Sequence, residues 1–199
     1  MILILAFALQ IINGVLTQGE IRALNNWVYI DSLSAIFLGL IAIVGTLAGI
    51  YSIGYISTEY REGHLDLKTY CNSYGFLHLF FFTMIISVIT NNVILLWAAI
   101  EATTLSSAFL VGTYKQKTTL EAAWTYIIIC SVGVAFGWYG TILTFSNGTN
   151  LLADPSKAIF WTAVNQQAGE LNHGLMYLAF AFILVGFGTK CGLFPMHTG

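Results

Sequence analysis

The sequence predicts an all-α fold, a polytopic bundle of about six transmembrane helices. Of the 199 residues, 57% are hydrophobic and 8% are charged, whereas a soluble domain carries about 25% charged residues. The hydrophobic residues gather into six long runs, and none of them shows the alternation with period two that a transmembrane β-strand requires. Lipid must therefore cover much of the surface of the folded chain.

The six runs define the predicted spans. The first run lacks the basic flank and the small-residue cleavage site of a signal peptide, so it is predicted to be a first helix, although it is shorter than the roughly 20 residues of a full span. The Asn91-Asn92 pair predicts a tight turn between the third and fourth runs. The runs comprise residues 1–16, 33–55, 74–90, 93–112, 122–145 and 175–192.

The longest polar connection, residues 146–174, is predicted to lie outside the membrane and to contain a short interfacial helix. Within it, Asp154 precedes Pro155, which is the order of an N-cap followed by proline at the first helical position. The apolar residues that follow, in 158–164, predict a helix lying at the membrane surface. The whole chain, residues 1–199, is expected to form a single transmembrane domain.

The distribution of lysine and arginine predicts the orientation of the chain. An even number of spans puts both chain ends on the same side of the membrane. Four basic residues are assigned to that side and two to the other, and the more basic side is expected to be cytoplasmic. The four are Arg61, Lys68, Lys115 and Lys117, and the two are Arg22 and Lys157.

Composition argues against several classes of function. A net charge of −2 is too small to indicate a nucleic-acid partner. The three cysteines show no metal-binding spacing, and the chain has neither a glycine-rich nucleotide motif nor a histidine pair spaced for haem. No cofactor is therefore expected, and any work that the chain performs must draw on a partner protein or an ion gradient.

Glu101 is the first candidate functional residue. It lies roughly 12 Å inside the span that opens at Val93, counted at about 1.5 Å per residue. A lone carboxylate at that depth costs at least about 2.5–3.5 kcal/mol, so such a residue usually has a function. The structural alternative is a protonated carboxyl that hydrogen-bonds between helices. Thr104, one turn later, is expected to share its face.

Lys190 is the second candidate. It lies roughly 22 Å along a helix that starts near Leu175. Three glycines and a proline within residues 186–195 predict that this helix is discontinuous near Lys190. A broken helix frees backbone carbonyls, which beside a buried lysine can line a wet cavity. The alternative is a lysine that extends its ammonium to the interface from the end of a span.

Two histidines are secondary candidates for a proton relay. His78 lies in the third run, and an imidazole titrates near neutral pH. The alternative for His78 is a hydrogen-bonded core residue. His197, two residues after Pro195, is expected to be an entry group in contact with water.

Two segments resemble the antiporter-like membrane subunits of the complex I and membrane-bound [NiFe] hydrogenase superfamily, most closely its hydrogenase-4 branch. Residues 97–111 read WAAIEATTLSSAFLV, and residues 186–197 read GFGTKCGLFPMH. Shorter similarities around Tyr51, Tyr74 and Glu121 extend the resemblance over nearly the whole chain.

The resemblance implies both a function and a pair of sites. In this family the glutamate matching Glu101 and the lysine matching Lys190 are thought to form a coupled pair in a proton channel. The resemblance further implies a proton-translocating subunit of an oxidoreductase complex in the cell inner membrane, with no redox centre of its own. Its partners would be other membrane subunits and a peripheral hydrogenase or dehydrogenase arm. A subunit of a multisubunit Na⁺/H⁺ antiporter and an inactive membrane-packing remnant are the alternatives.

Three features depart from the family pattern. Thr125 stands where related hydrogenase sequences usually carry a lysine, which removes one titratable group. The family motif continues after His197, whereas this sequence ends at Gly199. Family members also have one helix before the first helix of this chain and several after its last. We therefore expect the chain to be a fragment of a protein more than twice as long.

Overall fold

Six long apolar helices form the bundle in the described part of the chain. The computed structural model describes residues 2–63, 65–112 and 117–193, without the side chains of residues 117–120 and 122. The helices are α1 (Ile2–Gln18), α2 (Ser32–Arg61), α3 (Leu67–Ile89), α4 (Val93–Val111), α5 (Lys117–Thr149) and α7 (His173–Lys190), with the short α6 (Trp161–Gln166) before the last of them. Among the described residues, five helices are long and apolar enough to cross a membrane, while α1 has only 17 residues. The chain is therefore a multi-pass membrane protein, and the predicted all-α bundle is confirmed.

Two helices begin earlier than the hydrophobic runs predict. α3 begins at Leu67 rather than near residue 74, and α5 likewise begins at Lys117. The side chain of Asp66 accepts a hydrogen bond from the backbone N–H of Thr69 at 3.2 Å and so caps α3. A hydrophobic run marks only the apolar part of a helix. The helix itself can extend beyond this part, and it starts at the residue that follows the N-cap.

A two-stranded antiparallel hairpin, which the sequence analysis did not predict, links α1 to α2. Strand β1 (Ile21–Ala23) pairs with β2 (Val28–Ile30). The turn between them holds Leu24, Asn25 and Asn26 at φ angles of 52°, 53° and 69°. Asparagine adopts this left-handed region more readily than most residues, so the Asn-Asn pair favours the reversal. Strands of three residues are too short to produce a visible hydrophobic alternation.

Three connecting segments pack together at one end of the bundle, and we call them the loop layer. They are the hairpin, the turn at residues 90–92 and the connection at residues 150–172. Isolated β-bridges join the turn to both other segments, Val28 to Thr90 and Asn92 to Phe160. Because these segments follow α1, α3 and α5, the start of α1 and the end of α7 lie at the opposite end of the bundle. This is the arrangement expected of an even number of spans, while the assignment of the cytoplasmic side stays a prediction.

Asn91 holds the loop layer together. Only 2% of its surface is exposed, and its Nδ2 donates to the carbonyl of Asn26 and to Oγ1 of Thr162, both at 2.9 Å. Its Oδ1 accepts from the backbone N–H of Thr162 at 3.3 Å. Its own backbone N–H donates to Trp27, and its carbonyl accepts from Trp161. The donors of this buried amide are thus satisfied within the protein, as buried polar groups require.

The connection between α5 and α7 is shorter and more structured than the predicted loop of residues 146–174. α5 continues to Thr149 and α7 begins at His173. Between them lie a 3₁₀ helix (Pro155–Ile159), α6 and a second 3₁₀ helix (Ala168–Glu170). Helical segments are therefore present where the sequence predicted one.

The apolar side chains of this connection pack against the end of α5. Ala158 and Val164 are 0% and 7% exposed, and a Cβ atom at Gly148 would lie 3.3 Å and 3.1 Å from their side chains. Asp154 caps the first 3₁₀ helix by accepting from the backbone N–H of Ser156 at 3.1 Å, as predicted. The location of the connection at the membrane surface stays a prediction.

The hairpin carries an exposed charged cluster outside the bundle. Arg22 lies 2.7 Å from Glu20, and the hydroxyl of Tyr29 donates to the same carboxylate. The bond from Tyr29, and then that from Arg22, lowers the pKa of Glu20, while the bond to Glu20 raises the pKa of Tyr29. Because the cluster is exposed to solvent, it contributes little to stability.

Glycines allow α5 and α7 to approach closely. A Cβ atom at Gly186 would lie 2.5 Å from Cα of Gly137, and one at Gly140 would lie 2.7 Å from the carbonyl oxygen of Ala179. A Cβ atom at Gly133 would overlap the side chain of Thr189. Small residues are typical of helix interfaces in bilayers, where close packing rather than hydrophobic burial drives association.

Replacing Asn91 with alanine should lower the free energy of unfolding by about 2–4 kcal/mol, because buried partners in the loop layer lose their hydrogen bonds. Thermal unfolding in detergent, followed by tryptophan fluorescence, measures the effect. Asn150→Ala, at an exposed position, is the matched control and should leave the midpoint nearly unchanged. Equal midpoints for the two variants would contradict the role assigned to Asn91.

Gly186→Ala should lower the thermal midpoint, although alanine is about 1 kcal/mol better than glycine in a helix. The new methyl group would collide with the backbone of Gly137, which has no side chain that could move away. Gly75→Ala in α3 meets no atom within 4 Å and should keep or raise the midpoint. A Gly186→Ala protein as stable as the Gly75→Ala protein would show that the close contact is not required.

Candidate functional site

Glu101 lies inside the bundle, where the sequence predicted it. α4 begins at Val93, so Glu101 is eight residues, or roughly 12 Å, from the helix start. Its Oε1 accepts a hydrogen bond from Oγ of Ser131 in α5 at 3.0 Å. Its Oε2 is buried and has no hydrogen-bond partner within the described part of the chain. Thr104, expected on the same face, is buried and bonds the carbonyl of Ile100 in its own helix.

Polar contacts set the register between α4 and α5. Trp97 Nε1 donates to the carbonyl of Val134 at 2.8 Å. One turn further along α4, Ser131 bonds Glu101. Further still, the hydroxyls of Ser107 and Tyr126 lie 3.3 Å apart. Contacts that advance along α4 and retreat along α5 are those of two antiparallel helices, and they hold Glu101 against the middle of α5.

Lys190 is the last residue of α7 and is half-buried. Its Nζ lies 6.0 Å from the ring centroid of Tyr126, within range of a cation–π interaction. Cys130 and Glu101 are near enough to the ammonium to contribute to its electrostatic environment. The structure therefore brings the two predicted site residues into one cluster.

The two charged residues are level with the same turn of α5. Ser131 faces Glu101 on one side of this turn, and Gly133 faces Thr189, the neighbour of Lys190, on the other. α5 thus lies between α4 and α7 at the height of the pair. Tyr126 contacts both flanking helices, because its hydroxyl is near Ser107 of α4 and its ring is near Lys190.

α7 ends at Lys190, and glycine rather than proline supplies the stop, while the discontinuity of the helix stays a prediction. Gly192 has a φ of +64°, and its N–H donates to Thr189 at 3.3 Å. The N–H of Leu193 donates to Gly188 at 2.9 Å, which completes a Schellman motif. Whether a helix resumes beyond Leu193 lies outside the described residues, as does Pro195.

The expected free carbonyls are largely absent from the described end of α7. The carbonyl of Gly186 accepts from Oγ1 of Thr189 at 2.6 Å. The carbonyls of Phe187, Gly188 and Thr189 accept from the three residues that follow Lys190. A capped helix end satisfies carbonyls that an uncapped break would leave open, so the carbonyls at these positions are bonded rather than free, and the wet cavity stays a prediction.

His78 lies apart from the Glu101–Lys190 cluster. Its Nδ1 donates to the carbonyl of Tyr74, one turn earlier in α3, at 2.8 Å. The exposed imidazole lines a groove of about 460 Å³ together with residues of α1 and α2. Thr83 and Phe76 are among the residues of α3 that contact α4. His197, the other predicted relay residue, lies outside the described residues.

Sequence reasoning did not identify Ser131 or Tyr126. Both occur in an apolar run where an isolated serine or tyrosine is usually a packing residue, and only the register of α5 against α4 reveals them. Thr125, where relatives were expected to carry lysine, has an exposed side chain. In the part of the chain that the structure describes, no group of three or more histidine, cysteine, aspartate or glutamate residues is placed to hold a metal ion.

Two family descriptions match the sequence. Residues 90–198 match the family described as NADH:quinone oxidoreductase/Mrp antiporter, transmembrane region. Residues 23–63 match the family described as NADH-ubiquinone oxidoreductase (complex I), chain 5 N-terminus. The first match alone includes α4, α5, α6 and α7, and so contains both Glu101 and Lys190.

Individual relatives belong to two kinds of complex. The hydrogenase-4 component F homolog of Methylacidiphilum infernorum is 36% identical over 171 residues, which cover 84% of this chain and 35% of that protein. The Na⁺/H⁺ antiporter subunit A1 of Staphylococcus aureus is 28% identical over 207 aligned positions, which cover 98% of this chain and 24% of that protein.

Solved structures share the fold. A chain of the membrane-bound sulfane sulfur reductase, an archaeal respiratory membrane complex, superposes with a TM-score of 0.79 at 18% identity, covering 98% of this chain and 38% of its own. A chain of respiratory complex I from Thermus thermophilus superposes with a TM-score of 0.65 at 19% identity, covering 98% of this chain and 39% of its own.

This chain thus spans between 24% and 39% of the length of the proteins with which it was compared. The transmembrane family match extends over more than half of the sequence, residues 90–198 of 199. The chain therefore belongs to the family of antiporter-like transmembrane subunits that NADH:quinone oxidoreductases and Mrp antiporters share.

Proposed function

We propose that this chain is part of a proton-translocating subunit of a membrane-bound oxidoreductase complex, in which Glu101 and Lys190 take up and release protons in turn. One observation carries the proposal. Two ionisable groups, the carboxyl of Glu101 and the amine of Lys190, lie level with one turn of α5 inside a transmembrane bundle, and Tyr126 of α5 approaches both of the helices that carry them.

The energetics of the pair support a proton-transfer role. A charged side chain near the bilayer centre costs at least about 2.5–3.5 kcal/mol, and an opposite charge nearby offsets part of that cost. Protonation of Glu101 removes the compensation from Lys190, and deprotonation restores it. The proton affinities of the two groups are therefore coupled, so that a proton arriving at one group changes the tendency of the other to release its own.

The proposed step moves one proton in and one proton out. A proton that binds the Glu101 carboxylate gives the neutral acid and leaves the ammonium of Lys190 without its counter-charge. Lys190 then releases a proton, and the electron pair of that N–H bond stays on Nζ as the neutral amine. Loss of the proton from Glu101 and reprotonation of Lys190 return the pair to its charged state.

Partner subunits would supply the driving force. We place the redox chemistry in a peripheral hydrogenase or dehydrogenase arm, and the remaining translocation path in other membrane subunits and in further helices of the same protein. The similarity to a hydrogenase-4 component F homolog and to a chain of an archaeal respiratory membrane complex supports this assignment. The complex would reside in the cell inner membrane, with both ends of the described bundle on the cytoplasmic side.

A subunit of a multisubunit Na⁺/H⁺ antiporter is the second candidate. The similarity to antiporter subunit A1 favours it, because it extends over 98% of this chain. The two candidates share the same glutamate and lysine and differ in the driving force. Proton flux that requires a Na⁺ gradient, and not a redox substrate, would identify the antiporter.

Glu101→Gln should reduce proton flux on the order of a hundredfold, because glutamine has a similar shape but cannot exchange a proton. The assay uses the complex that purifies with this chain, reconstituted in liposomes with a pH-sensitive dye under an imposed membrane potential. Glu170→Gln, at an exposed position in the loop layer, is the matched control and should retain the flux. Unchanged flux in Glu101→Gln would remove the proposal and favour a packing role for the chain.

Lys190→Arg should abolish flux as fully as Lys190→Gln. Arginine keeps the positive charge but does not release its proton in proteins, so it separates a proton carrier from a fixed counter-charge. Lys157→Arg and Lys157→Gln, at an exposed site, serve as controls and should behave as the unmodified chain. If Lys190→Arg retains flux while Lys190→Gln loses it, Lys190 is a counter-charge only.

A further inference from the structure

Ser131 uses its hydroxyl differently from most serines and threonines in these helices. In a transmembrane helix such a hydroxyl usually donates to a carbonyl three or four residues earlier in the same helix. In the described helices fifteen of them do so, namely Thr17, Thr46, Ser52, Thr58, Ser73, Thr83, Ser87, Thr103, Thr104, Ser106, Ser107, Thr141, Thr144, Thr149 and Thr189. Ser131 donates instead across the helix interface, to Oε1 of Glu101 at 3.0 Å. A hydroxyl has a single proton, so this bond replaces the ordinary bond within the helix.

The two oxygens of Glu101 are consequently in different environments. Oε1 is bonded to Ser131, whereas Oε2 is buried without a hydrogen-bond partner in the described part of the chain. A buried polar atom without a partner is rare in proteins and calls for an explanation. A carboxylate held by one oxygen presents the other in a defined place.

We propose that Ser131 is a positioning residue for Glu101. Its hydroxyl holds Oε1 against α5 and leaves Oε2 as the oxygen that takes up and releases the proton. The hydroxyl also favours the ionised carboxylate, because a hydrogen bond to a charged acceptor is stronger than one to a neutral acceptor. This inference deepens the proposed function, since it assigns separate roles to the two oxygens of the same site.

The other groups near Glu101 do not provide the same bond. On α5, Tyr126 is paired with Ser107 and Cys130 lies near Lys190. On α7, the Nζ atom of Lys190 lies 6.0 Å from the ring centroid of Tyr126.

The remaining neighbour of α4 is α3, whose titratable His78 lines a groove with residues of α1 and α2. α3 meets α4 through Thr83, whose Oγ1 lies 3.1 Å from Oγ1 of Thr103, and through Phe76, which stacks on Phe109. Ser131 is thus the only hydrogen-bond donor to the carboxylate among the described residues.

The test is a pH titration of Glu101 itself. In the purified complex, infrared difference spectroscopy follows the C=O stretching band of the protonated carboxyl, assigned by its loss in Glu101→Gln. Ser131→Ala should move the midpoint of this band up by about one pH unit, a tenfold increase in proton affinity. Ser131→Thr keeps a hydroxyl and should restore the original midpoint, and Ser131→Cys, with a weak S–H donor, should fall between them.

Ser106→Ala is the matched control, because Ser106 is buried in α4 and bonds only its own helix, to the carbonyl of Ala102. A midpoint in Ser131→Ala equal to that in Ser106→Ala would overturn the inference. If Ser131→Ala does not fold, the inference rests on Ser131→Cys and Ser131→Thr, and equal midpoints in these two would overturn it.

The outcome is separable from that of the proposed function. The infrared titration requires no transport, so it reports on Ser131 even if Glu101→Gln leaves proton flux unchanged. Conversely, a large loss of flux in Glu101→Gln together with an unshifted midpoint in Ser131→Ala would retain the proposed function and remove the role of Ser131. If both the proposed function and the role of Ser131 are correct, the pH profile of proton flux in Ser131→Ala should also move toward higher pH.

Discussion

The close backbone approach of α5 and α7 is the contact on which the arrangement of the site depends. A lipid environment offers no hydrophobic gain for bringing helices together, so the gain must come from close packing. Gly137 and Gly186 meet backbone to backbone, and Gly133 accommodates Thr189. With side chains between the helices, Lys190 would lie further from Tyr126 and from α4. The glycines therefore determine how near the ammonium lies to Glu101.

The opposite side of α5 makes a different kind of contact. Toward α4 it presents the carbonyl of Val134 and the hydroxyls of Ser131 and Tyr126, and these groups bond or approach polar groups of α4. Hydrogen bonds fix the axial position of α4 relative to α5, and close packing fixes that of α7. Because both helices are aligned against α5, the positions of Glu101 and Lys190 are also fixed relative to each other, although α4 and α7 are not consecutive in the sequence.

The loop layer secures the starts of the helices that carry the charged residues. Asn92 caps α4 by accepting from the backbone N–H groups of Ile94 and Leu95. Asn172 caps α7 and also exchanges two hydrogen bonds with Asn147, a buried residue of α5. Because each cap fixes where its helix starts, the caps also fix how deep Glu101 and Lys190 lie in the bundle.

The hydrophobic runs and the polar breaks were sufficient to predict a transmembrane bundle and to locate most of its helices. Depth in an apolar run also identified Glu101 and Lys190, because the cost of burying a charge depends on its position along a span and not on its neighbours. Boundaries were less accurate, since a cap such as Asp66 is a short-range hydrogen bond that hydropathy does not report. The hairpin was not predicted because three-residue strands carry no readable period.

By itself, the sequence determined that the chain is a helical membrane protein, that it belongs with antiporter-like subunits, and which two ionisable residues lie within apolar spans. Only the tertiary structure decided that these residues lie on either side of one turn of α5, that Ser131 bonds one oxygen of Glu101, and that Gly192 ends α7. The physical reason is that burial is a property of one segment and its surroundings. The register between two packed helices, in contrast, depends on the glycines and hydrogen-bonding groups of both helices together, so it cannot be read from either segment alone.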